Sequence, residues 1–355
     1  MNELNWWRNK KVLITGHTGF KGSWLCKILC DAGADVTGYS LEPETEPALF
    51  NLLNLEKTVH SEIGDIRDLS NMEQVFGKTR PEIVLHLAAQ PIVRTSYAEP
   101  VYTYETNVMG TVNICECVRN FESVKSFLNV TTDKVYENKE WAWGYRENEA
   151  LDGYDPYSNS KSCSELVTHS YINSFFKEQH KAVSTARAGN VIGGGDFAPD
   201  RIIPDCVRAA FAGKPIVIRN PHSIRPYQHV LEPLAAYLMI ARAQYENGEM
   251  SGFYNVGPNE SDCITTGELV SAFRDAWGEE MRVDIRSDGG PHEANYLRLD
   301  CSLLKQKFHW KPRWNVYEAV KRTVEWTKGY RKDAKSVSVI MEQQIADFFE
   351  GEDHV

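Results

Sequence analysis

The chain has 355 residues, 42% of them hydrophobic and 25% charged, and a net charge of −10. Such a length buries a large core and suits two domains, or one with a substantial appendage, and the composition is that of an ordinary globular enzyme. The acidic balance excludes a broad phosphate-binding surface, and with it nucleic acid or an anionic membrane as partner.

No apolar run approaches the ~20 residues of a bilayer span. Met1 to Trp7 lacks the charged-then-apolar pattern of a secretory leader, so a cytoplasmic protein is expected. The eight cysteines are scattered. Cys115-Glu116-Cys117 has no second half to complete a zinc spacing, so reduced, buried thiols and no metal are expected.

In chain order, Lys11–Thr15 predicts a strand and ends in glycines. Phe20, Trp24, Leu25, Ile28 and Leu29 recur at helical spacing, and Gly33 closes that helix. Further strands are predicted at 34–39, 82–87, 126–131 and 183–188. Apolar strands alternating with helices predict an α/β fold, a doubly wound parallel sheet covered on both faces and binding ligand beyond its carboxyl edge. After Gly189 glycine, proline and arginine become frequent. Residues 1–190 are therefore expected to form a dinucleotide-binding Rossmann domain, and 191–355 a smaller C-terminal α/β substrate-binding domain. Strand-like Phe253–Val256 is expected to rejoin the first sheet within 226–260. The stretch from about Lys332 reads as a docked helix or a loose tail.

Gly16-His17-Thr18-Gly19-Phe20-Lys21-Gly22 follows a strand directly and opens a helix. In that context glycines allow a tight turn and a close approach of backbone to pyrophosphate, and the helix start offers free N–H groups and a positive dipole. The acid expected on the ribose about 20 residues further on is replaced by Ser40. Glu42, Glu44 and Glu46 follow it without a base that could meet a 2′-phosphate, so NAD is favoured over NADP.

Asp155-Pro156-Tyr157-Ser158-Asn159-Ser160-Lys161 starts a helix, with proline in its first turn. Tyr157 and Lys161 are four apart and share a face. A lysine ammonium, together with a nicotinamide cation, favours the phenolate and lets it take a hydroxyl proton.

With His86-Leu87-Ala88-Ala89 and Asn107-Val108-Met109-Gly110-Thr111, these motifs resemble the nucleotide-sugar group of the extended short-chain dehydrogenase/reductase family, as far as about Asp300. The resemblance implies a cofactor site made by the Gly16, Thr18, Gly19, Phe20, Lys21 and Gly22 loop, Ser40, Thr131, Tyr157 and Lys161. It implies adenine contacts at Asp65 and Ile66, a lining of Leu87, Ala88, Ala89 and Gln90, and support of the active site by Asn107. It also implies a homodimer, or a tetramer, paired through helices near 101–120 and 158–178.

Within that group Thr132-Asp133-Lys134, after the 126–131 strand, is similar to the 4,6-dehydratases, and to their branch acting on CDP-glucose in deoxysugar and O-antigen (lipopolysaccharide) synthesis. The implied catalytic set is Thr132, Asp133, Lys134, Tyr157 and Lys161. Tyr157 takes the O4 proton, Lys134 the C5 proton, and Asp133 protonates the departing O6, while Thr132 donates to O4. Lysine as base and aspartate as acid are compatible only if burial keeps Asp133 protonated. For the substrate, Asn190 and Arg225 are implied at the diphosphate, and Arg201, His292 and Tyr296 at the nucleotide end. Guanidinium suits a diphosphate better than ammonium does. Two other readings stay open: an NAD-dependent 4-epimerase or a dehydratase of another nucleotide sugar, and a non-catalytic dinucleotide sensor. The base is not legible in these residues.

Overall fold

Lys11–Thr15 forms the first strand, β1, with four of its five residues buried, as a β-branched run does when both faces of its sheet are covered. The computed structural model describes residues 2–278, 280–286 and 296–351. In it six further strands join β1: β2 (Asp35–Ser40), β3 (His60–Ile63), β4 (Ile83–His86), β5 (Ser126–Thr132), β6 (Ala182–Ala188) and β7 (Phe253–Val256). Their order is β7-β6-β5-β4-β1-β2-β3, and every pairing is parallel. The expected α/β parallel sheet is present. The order reverses between β1 and β4, which opens a crevice beyond their carboxyl ends.

Helices packed on the sheet and on the C-terminal part include α1 (Phe20–Asp31), α2 (Gly110–Asn120), α3 (Pro156–Tyr171), α4 (Ile202–Ala212), α5 (Leu231–Glu246), α6 (Thr266–Trp277), α7 (Val316–Lys332) and α8 (Val337–Glu350). Helix α5 covers β5 and β6 from below. There the Ser126 hydroxyl donates to the Ala241 carbonyl at 2.8 Å and Gln244 Nε2 donates to the Phe127 carbonyl at 3.0 Å.

After β6 the chain leaves the sheet and builds three two-stranded ribbons. These pair 191–192 with 228–229, 224–226 with 263–265, and 216–218 with 283–285. Ile203, Cys206, Ile216, Leu269, Phe273, Trp277 and Val320 form their shared core, backed by α4, α6 and α7.

The C-terminal stretch is a docked helix, α8. Phe348 is buried and meets the Trp314 ring edge-on, with centroids 5.1 Å apart. Behind it Glu232, in the first turn of α5, is 1% exposed. Its Oε1 accepts from the backbone N–H groups of Arg313 and Trp314 at 2.8 and 2.7 Å, and its Oε2 has no partner. Burial pushes this carboxyl up to about 8. All eight cysteines are unpaired. Among the described residues no helix is long and apolar enough to cross a membrane, and no three His, Cys, Asp or Glu side chains gather as a metal site.

Candidate active site

The glycine loop wraps against the end of β4. Gly16 has φ +76°, and a Cβ there would lie 2.8 Å from the Ala88 backbone nitrogen. A Cβ on Gly22 would lie 2.1 Å from the Gly16 carbonyl oxygen, so these two glycines are required by the loop's own winding. Gly19 differs. Its Cβ would meet nothing nearer than the Gly16 oxygen at 3.4 Å, and no side chain caps the helix it opens. Open space before uncapped N–H groups fits a pyrophosphate.

Around the loop, Thr18 Oγ1 and Ser40 Oγ lie 2.8 Å apart, and both donate to the Leu41 carbonyl. Ser40 is thus a buried strut of the loop. The Thr15 hydroxyl accepts from the Leu87 and Ala88 N–H groups and shapes the segment Leu87 to Gln90. Ile66 packs under Gly110. The Asp65 carboxylate is taken up by the backbone N–H and guanidinium of Arg67, which hold it below its ordinary range.

Asn107 lies in a five-residue widened turn, 105–109, between two helical segments. That turn aims its side chain inward. Its Oδ1 accepts from the Gln90 N–H at 2.8 Å, and its Nδ2 donates to the Gln90 carbonyl at 3.1 Å and to Ser160 Oγ at 2.9 Å. Asn107 therefore ties the Leu87–Gln90 segment to α3. Widened turns of this kind are frequent at functional sites.

Helix α3 begins where Asp155 accepts from the Ser158 N–H at 2.9 Å and Pro156 fills the first turn. Lys161 is buried, its Nζ donating to the Val130 carbonyl at 3.0 Å. Burial lowers its ammonium to about 8 and raises the Tyr157 phenol to about 12. The chain's own charges therefore do not lower the phenol as the Tyr–Lys spacing suggests. Desolvation outweighs the hydrogen bond from Thr132 and the charge of Arg201, which pull the other way.

Strand β5 ends in a tight turn at 133–135, where the Thr132 hydroxyl donates to Asp133 Oδ1 at 3.0 Å. Asp133 is 1% exposed and its Oδ2 has no hydrogen-bond partner. Burial raises its carboxyl above the ordinary range, against the charges of Lys134 and Arg225. A buried carboxyl whose proton affinity is raised and whose second oxygen is free is a candidate proton donor.

These groups face one cavity of about 690 Å³, which Phe20, Lys21, Leu87, Ala89, Thr131, Thr132, Asp133, Lys134, Tyr157 and Lys161 line on the sheet side. Asn190, Arg201 and Arg225 line its other wall. Arg201 donates to Asp196 Oδ2 at 2.9 Å and acts electrostatically on Tyr157 and Lys21, so it lies beside the reacting groups. Tyr296 is not brought into the cavity, because its hydroxyl donates to the Ala142 carbonyl. His292 lies outside the described residues. Arg94, Asp200 and Arg219 also line the cavity and were not among the expected site residues, although Asp200 directly precedes Arg201 and Arg219 lies in the arginine- and proline-rich stretch after Gly189.

The model of the family described as GDP-mannose 4,6 dehydratase matches residues 13–323. The chain is 46% identical over 354 residues to the CDP-glucose 4,6-dehydratase of Salmonella typhimurium, covering 98% of each. Among solved structures, the dTDP-glucose 4,6-dehydratase of Bacillus anthracis in complex with NAD shares the fold with a TM-score of 0.76 at 22% identity, over 93% of this chain and 99% of that one. The UDP-glucose 4-epimerase of Thermus thermophilus in complex with NAD has a TM-score of 0.76 at 25% identity, over 90% and 99%. A pyrophosphate cradle, a Tyr–Lys helix and a buried acid share one crevice, and the matching model spans most of the chain: the protein belongs to the GDP-mannose 4,6 dehydratase family.

Proposed function

We propose that this chain is a hydro-lyase that converts CDP-D-glucose to CDP-4-dehydro-6-deoxy-D-glucose with tightly held NAD. The observation that carries dehydration over epimerisation is Asp133, a buried carboxyl with a free oxygen beside Lys134 and Tyr157. An epimerase has no use for an acid at C6. The choice of cytosine is supported by the Salmonella relative.

NAD, when bound at the glycine loop, supplies the positive charge that favours the phenolate and the carbon that takes hydride from C4 and returns it to C6. Tyr157 Oη receives the O4 proton, with Lys161 fixed behind it and Thr132 donating to O4. Lys134 Nζ takes the C5 proton, which the neighbouring ketone has made acidic. The Asp133 carboxyl gives its proton to O6, which leaves as water. As C6 becomes a methyl group the Lys134 ammonium returns a proton to C5, and the O4 proton carried by Tyr157 replaces the one Asp133 gave up. Arg225 and Asn190 hold the diphosphate, and Arg201, on the same wall of the cavity, acts on Tyr157 rather than at the nucleotide end expected of it. Residues 1–190, together with the returning parts of 226–260, hold the cofactor in this reading, and 191–355 hold the nucleotide sugar.

The same reading makes the protein a cytoplasmic homodimer that feeds deoxysugar synthesis for cell-surface polysaccharide. Eight unpaired thiols suit a reducing compartment. Val101, Met109 and Leu166 are 69%, 50% and 52% exposed on the two helical segments expected to pair, as apolar side chains that a partner subunit would cover are when the chain is alone.

The test is incubation of the purified holoprotein with CDP-, dTDP-, UDP- and GDP-glucose separately, without added reductant, followed by mass spectrometry. CDP-glucose alone losing one water supports the proposal. An isomer of unchanged mass moves the assignment to epimerase, and no turnover of any sugar revives the sensor.

A further inference from the structure

The chemistry needs Tyr157 and Lys161, on α3, and Thr132, Asp133 and Lys134, at the end of β5, within reach of one sugar ring. What sets these two elements against each other lies beneath them. Glu165 is four residues beyond Lys161 and eight beyond Tyr157, so it continues their face. It is fully buried, as is Arg187 on β6, and neither lines the cavity.

Arg187 Nη2 donates to Glu165 Oε2 at 3.0 Å, and the Thr185 hydroxyl donates to the same oxygen at 2.8 Å. The Thr131 hydroxyl, on β5 immediately before Thr132, donates to Oε1 at 2.5 Å. From its other side Arg187 Nη1 donates to the Tyr136 hydroxyl and to the Glu147 carbonyl, both at 2.9 Å. Tyr136 is the residue just past the 133–135 turn, and its hydroxyl donates to Asn255 Oδ1 on β7 at 2.6 Å. The turn that carries Asp133 and Lys134 is thus held at both flanks by one buried ion pair.

We propose that Glu165 is a positioning residue: with Arg187 and Thr131 it locks the helix bearing Tyr157 and Lys161 to the strand end bearing Thr132, Asp133 and Lys134. Stability alone is a poor reason for such a pair, since apolar residues of similar volume often hold a core as well or better. Directional bonds to Thr131 and Tyr136 do what apolar packing does not, which is to fix register between two elements. Glu165 also acts on charge. Lys21 of α1 and His86 of β4 are coupled to Lys161 from the elements packed around it, and Glu165 is the carboxylate that draws its ammonium upward against burial.

The chemical consequence rests on the dehydratase reading above, so the experiment separates the two. Purified holoprotein is compared as wild type, Thr131→Val, Thr131→Ser and Glu165→Gln. Thr131→Val keeps the ion pair and removes its bond to β5. Since Thr131 also lines the cavity, amide exchange is measured beside the kinetics to separate positioning from direct contact. The expected result is a kcat for CDP-glucose dehydration lowered about tenfold or more with KM within about twofold, because misplacement of reacting groups acts on kcat. Thr131→Ser should restore kcat, and amide exchange should quicken only in peptides spanning 126–136 and 156–165. In Glu165→Gln the alkaline limb of kcat should move down by about one pH unit, as Lys161 loses the carboxylate that keeps it charged. If that variant does not fold, the Thr131 pair decides. Wild-type kcat and unchanged exchange in Thr131→Val overturn the proposal. A wild type that dehydrates no nucleotide sugar overturns the functional reading instead, and the exchange measurement still decides the coupling.

Discussion

Replacing Glu232 by glutamine should make the protein more stable at neutral pH, although it removes a charge-bearing group that accepts two backbone hydrogen bonds. The carboxyl is raised from 4.5 to about 8 by burial, so between those values the native state holds a proton that the unfolded chain releases. Unfolding then becomes easier as pH rises, which is the opposite of a salt-bridged acid. Neutral pH lies about two and a half units above the group's ordinary value, and at about 1.4 kcal/mol per unit the cost is roughly 3 kcal/mol. The glutamine amide oxygen can accept from Arg313 and Trp314 as Oε1 does, and its NH2 stands where the acid's unpartnered O–H stood. Little of the gain is therefore lost to hydrogen bonding. Urea midpoints measured from pH 5 to pH 8 should show wild type and variant nearly equal at the acid end. The variant should then pull ahead by roughly 2–3 kcal/mol at pH 7. A difference that stays constant across that range, or a variant that is weaker throughout, would refute the reasoning.

Four further outcomes are expected of the site and of the proposed dimer face. Asp133→Asn should lower the rate of water loss about 10²–10⁴-fold, the usual reach of a general acid. Oxidation at C4, seen as reduced nicotinamide absorbance, should persist, and loss of both steps together would remove Asp133 from the acid role. Gly19→Ala should strip NAD from the purified protein while leaving the melting temperature of the NAD-free protein unchanged, because the added Cβ enters open space before the helix. Gly22→Ala, whose Cβ would strike the Gly16 carbonyl, should cost stability as well, by about 1–3 kcal/mol in thermal unfolding. Leu166→Glu should shift the protein from dimer to monomer in sedimentation velocity, and a variant that sediments as the wild type would move the interface elsewhere.

Much of the fold was legible because the strands that build the crevice carry continuous apolar or β-branched runs. Lys11–Thr15 and Phe253–Val256 were placed to the residue, and β5 and β6 differ from expectation by one residue at an end. Strand β3 escaped. His60–Ile63 lies at the sheet edge with no fully buried residue, so no burial pattern marks it. The widened turn at Asn107 was hidden too, because it is a single turn within a continuous helical stretch and contains no glycine or proline to mark it. Within the site, Thr132, Asp133, Lys134, Tyr157 and Lys161 were each visible from a motif, and the structure brings all five to one cavity. Glu165 and Arg187 were not visible, since they are 22 residues apart and meet only across α3 and β6. The one available signal was an acid at Lys161 plus four on a helix face otherwise buried. The direction of the Tyr157 shift could not be read either, because spacing shows which charges are near and not how thoroughly water is excluded.

The return of the chain to the sheet has a consequence for how such a protein can be taken apart. Helix α5 covers β5 and β6, and β7 pairs along β6, yet both come after the first excursion through 191–229. A truncation at the end of β6 would therefore uncover the underside of the sheet and expose β6 as a raw edge, an invitation to self-association. The segment 191–229 is thus inserted between β6 and the returning α5 and β7, while the remainder of the C-terminal part follows β7. In topological terms that segment is an insertion within a single sheet.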